Sequence, residues 1–366
     1  MPRRRLTRAL ATAVLALAAA TATGGWTFGP HTAIVEGPPP GAAHWRADDS
    51  LGEPLPDPAT AAPAEVAAFF AGLSEAQGAE LATRHPLTVG NLDGAPVELR
   101  YAANARTWQD LYGTPPEPGR QLLALDPRGR GTFAEVYGEL PSAERVAVVV
   151  PGTDNDLDSH RTPTTWARDL LAELTAGAPD VPAATIAWVG YTTPEGVGPE
   201  LATDRLARAG AQRLDRFLAG LGQTTSTAAP PTVLCHSYGS VVCGVAARDA
   251  GAAFAAGDLV FLGSPGTRSG SAAALGTGAR VWASRAPADW ISAVPNVQLL
   301  GLGHGTDPTD PAYGARVFTS EDVTGHAGYT AAGSDALHNL SAIILGAHQL
   351  VGCAPNSPEC SDVPAA

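Results

Sequence analysis

From about residue 120 to residue 320 the chain alternates short apolar runs with amphipathic stretches. RQLLALDP and TFAEVYGEL predict strands near 121–126 and 132–138, RVAVVV a strand over 145–150 that stops at Pro151-Gly152, and ATIAWVGY another over 184–191. TVLCHSYG, DLVFLGSPG, ARVWASRA and ARVFTS continue the series. Between them, WARDLLAEL (166–174) is amphipathic, and the stretch from Leu201 to Leu221 sets Leu206, Leu214, Phe217 and Leu218 on one helical face. A further helix follows HSYG directly, with small residues Ser240 and Gly244 for close packing. Strand-length runs rich in β-branched residues, bounded by Gly and Pro and separated by helices, predict an α/β fold with a mostly parallel sheet covered on both faces.

Upstream, Val66, Phe69, Phe70, Leu73 and Leu81 fall at helical spacing, which predicts one or two short helices ending near Pro86. Residues 23–63 are rich in Gly, Pro and Ala and read as a linker or a loosely packed arm. The main domain is expected over 64–350, with 351–366 as a tail. No long amphipathic lid pattern stands out, and the region from Trp26 to Asp110 reads as a helical cap or packing arm as readily as a gate.

The N-terminus adds a targeting pattern. Arg3, Arg4, Arg5 and Arg8 precede an apolar run from Ala9 to Ala20 that is short for a bilayer span, and Ala20-Thr21-Ala22 supplies an A-x-A cleavage site. Residues 1–22 are therefore expected to be a secretory signal, with an uncleaved anchor as the other reading, so the protein is expected to be secreted or held at the cell envelope. The four cysteines form two close couples, and in an exported protein the simplest of the three possible connectivities is Cys235–Cys243 and Cys353–Cys360. For the first couple the bland reading is two small buried thiols; a bridge requires Cα atoms within about 7 Å.

Charge narrows the chemistry. All 23 basic residues are Arg, none Lys, against 36 acidic residues, for a net charge of −13. That excludes Schiff-base lysines, Ser–Lys dyads and the Walker-A lysine, and an acidic lysine-free chain is a poor binder of nucleic acid.

In an open parallel sheet, ligands meet the carboxyl ends of the strands. Past those ends lie Pro151-Gly152-Thr153, then His236-Ser237-Tyr238-Gly239 opening a helix, then Asp289 after ARVWAS, then His326 after ARVFTS. A serine on a strand-to-helix turn followed by an acid and a histidine is the Ser…Asp…His order of α/β-hydrolases. Serine is a poor nucleophile until a base takes its proton, which assigns His326 as base and Asp289 as the group that orients it. The backbone N–H groups of Tyr238 and Thr153 are the expected oxyanion donors. The elbow motif G-x-S-x-G keeps its second glycine as Gly239, but its first is Cys235. His304 and His338 are rival bases, and Asp258, Asp307 and Asp310 rival acids, each less well placed along the predicted strands. The run Asp154-Asn155-Asp156-Leu157-Asp158 resembles the start of a calcium loop, but Ser159 and Thr165 stand where that loop needs Gly and Glu. A polar loop bordering the site is the favoured reading, and no Cys/His spacing suggests zinc. No metal or cofactor is expected.

The chain resembles the actinobacterial α/β-hydrolase family of uncharacterised serine hydrolases. The likeness covers most of 64–348 and rests on HPLTVGNLDGAPVELRYAAN (85–104), RVAVVVPGT (145–153), ATIAWVGYTTPEG (184–196), CHSYGSVVCG (235–244), DLVFLGSPG (258–266), the Asp289 segment and GARVFTSEDVTGHAGY (314–329). It implies that Ser237, Asp289 and His326 form the family's triad, and it departs at Cys235, where the family more often has glycine. The expected activity is cleavage of a small-molecule or lipid carboxylic ester through an acyl-enzyme, compatible with peripheral association with the envelope. An envelope acyltransferase using the same residues, or a non-catalytic binding protein on the same fold, are the alternatives.

Overall fold

The structure, a computed structural model, describes residues 32–360 apart from 197, 226, 228, 356, 358 and 359. The expected signal segment 1–22, the first part of the arm and the last six residues of the tail lie outside the described residues. All the secondary structure described belongs to one compact unit, which begins at Ile34.

Eight strands form one sheet: β1 (Gln121–Asp126), β2 (Thr132–Tyr137), β3 (Arg145–Val150), β4 (Ala183–Val189), β5 (Thr232–His236), β6 (Asp258–Leu262), β7 (Arg280–Ser284) and β8 (Arg316–Val317). Their spatial order is β1-β2-β4-β3-β5-β6-β7-β8. The β1/β2 and β2/β4 pairs are antiparallel, and every pair from β4 to β8 is parallel. The sheet is thus mostly parallel, as the apolar runs predicted, with one antiparallel edge. The β1/β2 pairing follows from the short PRGRG connection, which leaves room for a hairpin but no crossover helix.

Both faces of the sheet are buried. Val146, Val148 and Val150 of β3 point to one side, where α7 (Arg205–Thr224) and α8 (Gly239–Ala250) contribute Leu214, Phe217, Leu218, Val241 and Val245. Ala147 and Val149 point to the other, against Trp166, Leu170 and Leu174 of α6 (Arg161–Gly177) and Leu340, Ile343 and Ile344 of α9 (Asp335–Leu345). This two-sided burial is why the strands read as continuous apolar runs rather than alternating ones.

Among the described residues five helices precede the sheet: α1 (Ala42–Arg46), α2 (Pro63–Ala71), α3 (Glu75–Arg84), α4 (Pro86–Gly90) and α5 (Val97–Tyr112). The loose arm expected over 23–63 gives way to packed structure from residue 42. Trp45 is fully buried, donates Nε1–H to the Pro56 carbonyl at 2.7 Å, and meets the His85 ring edge-on. Leu55, Ala61, Val66, Phe70 and Leu81 complete a separate small core there. At the other end, residues 352–354 run beside β8 through Thr319 N–H to the Gly352 carbonyl and Ala354 N–H to the Val317 carbonyl, both 2.9 Å.

Parallel register aligns the strand ends. Val150 pairs with Cys235, His236 with Leu262, and Leu262 with Ser284. The segments that follow β3, β5, β6 and β7 therefore leave the sheet side by side, at one edge.

Candidate active site

The turn after β5 is the sharpest feature of that edge. Ser237 has φ 55°, in the left-handed region, and its N–H donates to the Leu262 carbonyl at 3.0 Å. A non-glycine residue held there is strained, and such strain persists where surrounding structure over-determines it. Three contacts do so. The Ser240 hydroxyl donates to the Cys235 carbonyl at 3.0 Å. Gly239 packs so tightly on β3 that a Cβ there would lie 2.3 Å from the Val150 carbonyl oxygen. Cys235 and Cys243 are disulfide-bonded with Cα atoms 6.4 Å apart, tying the strand before the serine to the helix after it. Cys353 and Cys360 are likewise bonded, as expected from their spacing.

The segment after β3 meets the elbow directly. A Cβ on Gly152 would fall 2.7 Å from Ser237 Cβ and 3.0 Å from Tyr238 N, so glycine is what permits this approach. The Tyr238 N–H opens α8, where amides lack intrahelical partners. Among the described residues neither it nor the Thr153 N–H has an acceptor. The loop carrying Thr153 is held from below: Tyr191 donates its hydroxyl to the Pro151 carbonyl at 2.8 Å, Asp154 N–H donates to the Pro194 carbonyl at 2.9 Å, and Thr193 Oγ1 donates to the Asn155 carbonyl at 2.8 Å. The carboxylates of the calcium-like run serve this loop. Asp154 accepts from Gly196 N–H, and Asp156 from the N–H groups of Asp158 and Ser159.

Asp289 and His326 come together although 37 residues apart, with Nδ1 2.8 Å from Oδ1 and 3.0 Å from Oδ2. Asp289 is 1% exposed and also accepts from Ile291 N–H at 2.9 Å and the Tyr329 hydroxyl at 2.8 Å. Burial pushes its pKa up, but the bonds from His326, Ile291 and Tyr329 outweigh that and hold it below the ordinary carboxylate value. A carboxylate at Nδ1 fixes the proton there and leaves Nε2 as the basic nitrogen. That Nε2 is buried and has no hydrogen-bond partner among the described residues, so Ser237 and His326 are not hydrogen-bonded to one another in this structure. In unliganded sites such bonds are often long and close only on the substrate.

His326 is nonetheless fixed beside the elbow. His236, immediately before Ser237, donates Nε2–H to the His326 carbonyl at 2.6 Å, with ring centroids 4.5 Å apart. Burial, helped by the neighbouring His326, lowers the His236 pKa to about 3, so this imidazole stays neutral and acts as a brace. Trp166 donates Nε1–H to the Ala327 carbonyl at 3.0 Å, and Trp290 lies over His326 with centroids 4.6 Å apart. The rivals are engaged elsewhere. His304 is bonded to the Leu201 carbonyl, His338 to the Ser334 carbonyl on α9, Asp258 to Trp282 Nε1 at the opposite end of the sheet, Asp307 to Arg285, and Asp310 to Ala312 N–H.

Tyr329, His236, Tyr191 and Thr193 were not singled out by sequence reasoning. All lie in or beside the quoted motifs, and the spacing of Tyr329 three residues past His326 was the available signal.

Comparison with known proteins finds relatives in sequence. A family profile described as "Alpha/beta hydrolase" matches residues 126–299, which include Ser237 and Asp289. An uncharacterized protein of Mycobacterium tuberculosis (strain H37Rv) is 30% identical over 80% of this chain, and the chain spans only 57% of that relative's length. An uncharacterized protein of Mycobacterium bovis is 32% identical, over 61% of this chain and 80% of its own. Among solved structures, esterase PE8 is similar over 58% of this chain and 96% of its own, at 16% identity and a TM-score of 0.37. The chain belongs to the α/β-hydrolase family, alongside uncharacterised mycobacterial members.

Proposed function

We propose that the protein is a serine hydrolase that cleaves a carboxylic ester through an acyl-enzyme. The observation that carries this reading is the pair formed by a strained Ser237 and a His326 whose Nδ1 is held by a buried carboxylate while its Nε2 is left free. Ser237 Oγ attacks the ester carbonyl as its proton passes to His326 Nε2, and Asp289 stabilises the imidazolium. The oxyanion meets the N–H groups of Tyr238 and Thr153, each such donor being worth about 10²–10³ in rate. On collapse the alcohol leaves with the proton from Nε2. Water then attacks the acyl-serine by the same route and releases the acid. The two disulfides fit an oxidising compartment, which supports export, and no helix among the described residues is long and apolar enough to cross a membrane.

The test is labelling by a fluorophosphonate and turnover of a p-nitrophenyl short-chain ester. Both are expected for the parent and lost in Ser237→Ala. Equal labelling and turnover in the variant would sink the assignment. Competing alcohols in the same assay separate hydrolysis from acyl transfer by product.

A further inference from the structure

The segment from Trp290 to Thr306 carries no Asp, Glu or Arg, in a chain whose net charge is −13. Ile291 is buried, but five of the segment's large apolar side chains face outward: Trp290 is 58% exposed, Val297 48%, Leu299 54%, Leu300 93% and Leu302 44%. Among the described residues only three other large hydrophobics are comparably exposed: Leu111, Tyr112 and Leu350. Single exposed leucines are ordinary, but a contiguous uncharged cluster marks a surface built to be covered.

The backbone displays this cluster deliberately. Leu299 and Leu302 exchange both backbone hydrogen bonds at 2.9 Å, closing a two-residue hairpin turn. Its central residues, Leu300 and Gly301, have φ 53° and 84°. Such a turn favours Asn-Gly, and leucine at its first position is strained and gains no burial in return. The base of the hairpin is fixed: Arg268 donates to the Gly301 carbonyl at 2.8 Å and Gly303 N–H to the Ala202 carbonyl at 2.8 Å. The other end of the segment is Trp290, which covers His326. The segment that carries the hairpin thus starts against His326.

We propose that this hairpin docks the enzyme on an uncharged or zwitterionic lipid surface, and that Ser237 draws a long-chain ester from that phase; the second clause rests on the catalytic reading above. Lipid is the occupant that matches the chemistry. The tip offers aliphatic side chains on a convex turn, which suits insertion among acyl chains. It offers no cation for an anionic headgroup, and the acidic chain would be repelled by one.

The experiment compares the full chain with Leu299→Ser/Leu300→Ser/Leu302→Ser by flotation on phosphatidylcholine vesicles. The apolar run from Ala9 to Ala20 is common to both, so their difference reads the hairpin alone. The parent is expected to float and the triple variant to bind roughly tenfold less or weaker still. The ratio of turnover on dispersed long-chain ester to dissolved short-chain ester is expected to fall in parallel. Ser237→Ala is expected to float like the parent. Equal flotation of parent and triple variant, a parent that does not float, or a parent dimer that the triple variant splits would each overturn the proposal, the last making the face a self-contact. Should the triple variant melt well below the parent, Leu300→Ser alone carries the comparison. A parent that floats but turns over neither ester overturns the catalytic reading and leaves the docking in place.

Discussion

Tyr329→Phe isolates one support of the Asp289–His326 pair without disturbing packing. The ring is fully buried, its hydroxyl donates to Asp289 Oδ2 at 2.8 Å, and it accepts from Ala286 N–H at 3.1 Å. Removing the oxygen deletes a hydrogen bond to a charged group, worth about 1.5–3 kcal/mol, and leaves a buried amide without its acceptor at about 1–3 kcal/mol. Because the two effects overlap, we expect a loss of about 3 kcal/mol in urea unfolding at pH 7, within the reach of a domain stable by about 5–15 kcal/mol. The pH dependence has a definite sign. Asp289 has a lowered pKa in the folded protein, and Tyr329 is one cause of that lowering. The stability it confers is full above the unfolded carboxylate pKa and is lost as pH falls through the folded one. The gap between parent and variant should therefore hold steady from neutral pH through the ordinary carboxylate range and narrow only as pH falls through the lowered folded-state pKa of Asp289. On a soluble ester, kcat should fall about tenfold with KM nearly unchanged, since Ile291 N–H still holds the carboxylate and only orientation is loosened. A destabilisation under about 0.5 kcal/mol at pH 7, or a gap that widens as Asp289 is protonated in acid, would refute the role given to Tyr329.

Gly239→Ala forces a Cβ to within 2.3 Å of the Val150 carbonyl oxygen and 2.8 Å of the Pro151 carbonyl oxygen, so the Thr153 loop must shift; turnover should drop about 100-fold or more, measured on a soluble ester beside a melting curve. Replacing Cys235 and Cys243 together by Ser opens a loop of sequence separation 8, which should cost about 2–3 kcal/mol in urea unfolding of the oxidised protein. Trp45→Ala should cost about 3–5 kcal/mol if the pre-sheet helices are integral to the fold, and a neutral result would return that region to a loose arm.

The strands were legible because burial on both faces writes them as unbroken apolar runs, and the order Ser237, Asp289, His326 was legible because each follows such a run. Helix α5 was not legible as a helix, and its buried side explains this. Arg100, Asn104 and Thr107 are all buried there, with Arg100 paired to Asp93 at 3.2 Å and Asn104 Nδ2 donating to the carbonyls of Gly90 and Leu122 at 2.9 Å. A helix whose inner face is polar has no hydrophobic periodicity to read. The arm from residue 42 was obscured differently: its Pro, Gly and Ala content conceals one large anchor, Trp45. The bracing of the site by His236, Tyr191 and Tyr329 depends on tertiary contacts between distant segments, which local pattern does not encode.

The two motif positions flanking Ser237 turn out to answer to different constraints. At Gly239 the obstacle is backbone: the carbonyls of Val150 and Pro151 stand where any Cβ would go, so the position is closed to every other residue unless β3 moves. At Cys235 the side chain enters the core beneath α8 and finds Cys243 one helical layer away, so a group other than glycine is accommodated and put to use. A residue in the left-handed region must be held there by its surroundings, and a covalent tie from the preceding strand to the following helix shortens the list of conformations the turn can relax into. The missing glycine is thus exchanged for a cross-link around the same strained serine. The reasoning has a consequence for Cys235→Gly: restoring the motif's glycine removes the tie, so the substitution should weaken the protein in urea and give no gain in turnover.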